Sequence, residues 1–174
     1  MMRSKTILAA ACGLSLFAAA AIAQDSDHHE HMQMSPKMKD ARIEVDVPGP
    51  MKAKMLANMR GHQEAVAEIL AALSKGDGAA AAKIAQTRLG AGSPGSAACK
   101  PNAKSGELGD MPAMMAKHMP DEMRALGMTM HQQADKFAEE AAKVKQGGDL
   151  RPALAELSQV VQACNACHAA YRLD

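Results

Sequence analysis

Apolar side chains return every seven residues in two separate stretches of this chain. Met59, Val66 and Leu73 form one series, with Met55/Leu56, His62/Gln63 and Ile69/Leu70 at the half-steps. Met123, Met130, Phe137 and Val144 form the other, with Gly127, Ala134 and Ala141 between them. Such spacing paints a stripe along one side of a helix and is foreign to the two-residue period of a strand. The aromatic content adds a second constraint: two Phe, one Tyr and no Trp stand against 15 Met in 174 residues. Aromatic rings normally give a core much of its bulk. Methionine, alanine or a bound cofactor must fill this one.

The N-terminus reads as an address label. Arg3 and Lys5 precede an apolar run from Ile7 to Ile22, and Ala21-Ile22-Ala23 is a small-residue cleavage site. These are the three parts of a secretory signal peptide, residues 1–23, and the run is short for a bilayer span. The mature chain, 24–174, is expected in the bacterial periplasm with no membrane association once the signal is cut. Its cysteines are Cys99, Cys164 and Cys167, and its aromatics are Phe137 and Tyr171. A net charge of +1 offers no polyanion-binding surface, so nucleic acid is not an expected partner.

Residues 24–47 are rich in His, Met and Asp and lack periodicity, which predicts a flexible tail before a domain at 48–174. After Pro48-Gly49-Pro50 a first helix runs to about Lys75, and Gly76 ends it. Asp77 caps a second, alanine-rich helix through Leu89, closed by Gly90. Residues 90–110 form a long crossover loop. A third helix starts near Pro120-Asp121-Glu122, with Met111–Met119 as a short lead-in, and stops at Gly147-Gly148. Asp149 caps a fourth helix with Pro152 in its first turn and a stripe of Leu150, Leu154, Leu157, Val161, Cys164, His168 and Tyr171. With no convincing strand, the expected fold class is all-α, an antiparallel four-helix bundle.

The chemistry lies near the end of the fourth helix. Cys164-Asn165-Ala166-Cys167-His168 is the C-x-x-C-H arrangement of covalent c-type haem attachment. Two thiols at this spacing reach the two vinyl groups on one porphyrin edge, and the following imidazole reaches the iron. On a helix the three residues fall at i, i+3 and i+4, on one face and in line with the buried stripe. A haem there would also explain the missing aromatics. Two other uses of these residues compete: a Cys164–Cys167 disulfide, and a zinc ion held by Cys99, Cys164, Cys167 and His168.

The segment from Asp149 to Arg172 resembles the end of cytochrome c′, a family of four-helix bundles with the haem motif near the C-terminus. The ending Cys164-x-x-Cys167-His168-x-x-Tyr171-Arg172 carries the likeness, and Leu56-x-x-Met59-x-x-His62 followed by Ala65-Val66 is similar to the family's first helix. The resemblance spans roughly 50–89 and 120–173. It implies one haem c linked to Cys164 and Cys167, with His168 as proximal iron ligand, near the C-terminal end of the fourth helix. Arg172 would lie beside the haem's proximal face, and Lys52 stands where relatives carry an arginine directed at a propionate. It also implies a homodimer formed through the first two helices, working with a small redox protein or a gas ligand. Its register puts Leu56 opposite the iron, leaving a five-coordinate site open to nitric oxide or carbon monoxide. A one-residue shift would put Met55 there instead, closing the site and favouring electron transfer.

Outside that motif, His28, His29, His31, Met32 and Met34 cluster in the tail, and Met111, Met114, Met115, His118 and Met119 precede the third helix on no obvious common face. Imidazole and thioether suit copper, so a periplasmic copper- or zinc-binding protein is the competing class of function. Methionine as plain core filling is the simpler reading of the second cluster. Cys99 is left either free or paired between chains. No nucleophile–base–orienter set, phosphate-cradling loop or reasoned acid pair is present, so an enzyme is not expected.

Overall fold

Helix α1, Gly49–Ser74, starts with Pro50 in its first turn, where the missing N–H has no helical partner to lose. This computed structural model describes residues 39–100 and 111–174; the expected signal peptide, residues 24–38 of the expected tail and residues 101–110 of the crossover loop lie outside them. α1 closes on Gly76, whose φ of 71° is a left-handed conformation that glycine adopts without strain. Gly76 N–H donates to the Leu73 carbonyl and Asp77 N–H to the Ala72 carbonyl, satisfying two orphaned acceptors. Asp77 then caps α2, Gly78–Ile84, by accepting from Ala80 N–H at 2.9 Å. The short helices, α2 and α3 (Met111–His118), serve two long ones, α4 (Asp121–Ala141) and α5 (Arg151–Ala170).

The chain is all-α in class, as expected, and its interior falls into two clusters of different chemistry. In the first, Ala134, Ala138 and Ala141 of α4 meet Ala153, Val160 and Ala163 of α5, with Phe137, Ile69 and Leu89 supplying bulk. Side chains this short let α4 and α5 pack together along much of their length. Gly78 extends the principle, since a Cβ there would collide with the Ala141 carbonyl and Val144 at the end of α4. In the second cluster Met51 and Met55 of α1 pack with Met115, Met119, Met123, Val45, Val47 and Tyr171.

Several expectations are corrected. The second helix does not run regularly to Leu89: residues Ala85–Leu89 widen into one π turn, closed by Gly90 N–H on the Ala85 carbonyl at 2.8 Å. Asp135 explains the position of that turn, because its carboxylate accepts from Ala91 N–H at 3.1 Å and sits where a Gly90 side chain would go. The expected tail loses its last residues to the compact unit, which begins at Asp40. Ile43–Val45 forms a strand, β1, parallel to β2 at Tyr171–Leu173, with Ile43 opposite Tyr171 and Val45 opposite Leu173. Tyr171 leaves α5 in an extended conformation, and β1 takes up the backbone groups that helix no longer pairs.

α4 ends at Ala141, short of the expected stop at Gly147-Gly148, and the α5 stripe also differs. Ala153, Leu157, Val160 and Ala163 are buried, whereas Leu154 and Val161 are exposed. Close approach to α4 puts Ala153 and Ala163 in the seam beside Leu157 and Val160, and Leu154 is left turned outward. Asp149 acts one residue away from its expected capping place: Leu150 is the cap, and the Asp149 carboxylate accepts from Arg151 N–H at 3.0 Å.

Candidate functional site

A cavity of about 350 Å³ opens between α1, α4 and α5, at the junction of the two clusters. Along α1 its wall runs from Met55 to Val66, roughly 16 Å at the helical rise. Its surface is overwhelmingly apolar, and thioethers dominate one end: Met55 and Met59 from α1, Met115 from α3, Met119 from the α3–α4 junction, Met123 from α4.

Cys164, Cys167 and His168 all line this cavity. Helical geometry does this directly, since positions i, i+3 and i+4 of α5 share a face. Cys164 packs against the alanine cluster and Cys167 against the methionine cluster, so the motif straddles the boundary. Both are free, half-buried thiols. Burial raises the pKa of each, and the Cys164 thiol further raises that of Cys167. The two are not joined as a disulfide. Cys99 lies on the same cavity, on the 3-10 turn Pro94–Cys99, with its sulfur against Gly127; a Cβ on that glycine would come within 2.6 Å of it. Burial, and then the neighbouring Cys167, push the Cys99 thiol up to about 11. Among the described residues no three His, Cys, Asp or Glu side chains converge closely enough to hold a metal ion. The zinc set of Cys99, Cys164, Cys167 and His168 is therefore not assembled.

The residues expected around the iron divide. Met55 is 3% exposed and lines the cavity, as does half-buried Met59. Leu56 is 37% exposed and lies outside the lining, so its expected place opposite the iron is not where it sits. A step of one residue turns a helix by about 100°, and in this register Met55 takes the inward direction. Lys52 is half-buried but outside the lining. Arg172 is drawn into β2, where its guanidinium pairs with Glu44 and its Nε lies 3.7 Å from Asp40.

Other methionines named from sequence prove to share the cavity or the cluster beside it. Met115, Met119 and Met123 repeat every four residues through the Pro120 break, and Met51, Met55 and Met59 repeat every four on α1. The run before the third helix thus does have a common buried side, from which Met114 and His118 point away. At the opposite end His131 of α4 and His62 of α1 lie within the cavity wall. Burial depresses both imidazoles, His62 to about 4 with contributions from His131 and Arg88, so both rings are neutral at pH 7. No family model, curated protein or solved structure matches this chain.

Proposed function

We propose that this is a periplasmic c-type cytochrome of the cytochrome c′ kind, with one covalent haem c and no enzymatic activity. In this reading α1, α2, α4 and α5 make an antiparallel four-helix bundle, and the haem lies near the C-terminal end of α5. One observation carries it: Cys164, Cys167 and His168, in C-x-x-C-H order, share the wall of a large apolar cavity, with both thiols unbridged. The donor chemistry fits the group. Cys164 and Cys167 would hold the porphyrin edge, His168 would ligate the iron, and the apolar walls would cover the ring. Bound there, haem supplies a one-electron redox centre.

Met55 favours electron transfer over gas binding. It is buried in the wall that Leu56 was expected to form, and its thioether is a suitable sixth ligand. The partner is then a small redox protein. A homodimer through α1 and α2 is supported by Leu56 and Leu70, which α1 exposes. Secretion rests on the signal-peptide pattern of residues 1–23.

The test is spectroscopic. Haem should stay with the denatured polypeptide on a gel and stain for peroxidase activity. The ferric protein should be low-spin by EPR, turning high-spin in Met55→Ala and staying low-spin in Leu56→Ala. A high-spin wild-type spectrum would restore the open gas-binding site. A colourless protein, expressed with its haem-attachment machinery, would refute the reading.

A further inference from the structure

The cavity has a second end with its own chemistry. His62 and His131 face each other there, ring centroids 5.6 Å apart and planes at 87°. His131 is 1% exposed, and its Nδ1 lies 2.6 Å from the Leu89 carbonyl oxygen. A carbonyl can only accept, so Nδ1 carries the hydrogen and Nε2 keeps its lone pair. That carbonyl is free to accept because the π turn ends at Leu89, leaving the last acceptor without a helical donor. An imidazole pinned through one nitrogen, with the other unprotonated, is how proteins orient a metal-ligating histidine. Gly95 lets the backbone approach His62, since a Cβ there would lie 3.0 Å from His62 Nε2.

We propose that His62 and His131 bind one cuprous ion, with the thioether of Met59 or Met130 as a third donor. The ring separation matches a single ion shared by both, for which centroids about 5–5.6 Å apart are expected at metal–nitrogen bonds of about 2.0–2.1 Å. Met59 precedes His62 by one turn on the same face, Met130 adjoins His131, and all four line the cavity. The donor set selects the ion. Neutral imidazole and thioether are soft ligands, and among the described residues no carboxylate or thiolate joins the pair to complete the four-coordinate site zinc requires. A buried apolar setting also penalises a divalent charge more than a univalent one. His62 lies seven residues from Met55, roughly 10 Å along α1; the pair shares one cavity with Cys164, Cys167 and His168, and its donor set does not depend on haem being attached there.

The experiment is anaerobic titration of the full mature protein, as purified, with Cu(I) against a chromogenic Cu(I) chelator. Wild type is compared with His62→Phe, His131→Gln and Cys99→Ser, and helicity is checked by circular dichroism. Each histidine variant should lose one bound equivalent, its affinity falling more than about 100-fold, while Cys99→Ser keeps it. Cu(I) should raise the melting temperature of wild type and Cys99→Ser more than that of His62→Phe, a variant that keeps a ring of similar shape should His131→Gln fail to fold. The proposal is overturned if wild type takes up no copper in competition, if both histidine variants hold as much as wild type, or if only Cys99→Ser loses the ion.

Discussion

The two parts of the interior are built from side chains of opposite character. Where α4 meets α5, Ala134, Ala138, Ala141, Ala153 and Ala163 bring the backbones together and leave little to rearrange. Where α1 faces α3 and the start of α4, Met51, Met55, Met115, Met119 and Met123 fill the space with long unbranched thioethers. Alanine gives a rigid seam with no spare volume. Methionine has three rotatable bonds and a polarisable sulfur, so it can line a space, adapt to an occupant and ligate a metal. The cavity opens where the methionine cluster meets the seam, and Cys164 and Cys167 stand one on each side of that boundary. Rigidity on one side and adaptability on the other would suit a cavity that takes up a large planar group, as the proposed haem reading requires.

Substitutions should separate the two regions by the size of their effect. Phe137 is the one aromatic ring in the alanine cluster and is fully buried, so Phe137→Ala should cost about 3–5 kcal/mol in denaturant unfolding. Ala138→Leu adds bulk where none fits and should cost about 1–3 kcal/mol. A tolerated Ala138→Leu would mean that the seam is looser than its geometry. Stability should also depend on pH through His62, whose pKa is near 4 when folded and near 6.5 when unfolded. Between those values the unfolded chain binds more protons, so stability falls as pH drops from about 6.5 towards 4, by at most about 1.4 kcal/mol per pH unit for this group. His131 is shifted in the same direction and steepens the loss. In metal-free protein His62→Phe should flatten the profile over that window; an unchanged slope would place the titration elsewhere. The smallest effect is expected in the methionine cluster, where Met119→Leu conserves volume and should cost under about 1.5 kcal/mol. A larger loss there would show that the thioethers are packed as tightly as the alanines.

Helix class, the stop at Gly76, the cap at Asp77 and the α4 stripe were legible from sequence because each depends on local periodicity or backbone preference. The α5 stripe was misplaced because hydropathy weights Leu154 and Val161 over Ala153 and Ala163, whereas close helix approach reverses that order. β1 was missed although Ile43-Glu44-Val45-Asp46-Val47 alternates β-branched and acidic residues. A three-residue strand gains its stability from a partner 128 positions away, which no local window contains. At the site, C-x-x-C-H was readable as a short local motif, and its three residues share one wall. The choice between Met55 and Leu56 was not readable, because both sit at the edge of the α1 stripe and only its packing against α3 and α4 picks the inward one. His131 gave no signal at all, since its partners Leu89 and His62 come together only through the π turn and the crossing of α1 with α4.

Whether the shared wall of Cys164, Cys167 and His168 holds haem is tested most directly by intact-mass and peptide mass spectrometry of the mature protein. The prediction is a mass increment of one haem per chain, carried by the peptide containing Cys164 and Cys167, with both thiols unavailable to alkylation. Cys164→Ala with Cys167→Ala should abolish the increment while leaving the helical content intact. A mature protein with no added mass and both thiols alkylated, produced alongside an authentic c-type cytochrome that does receive its haem, would contradict it.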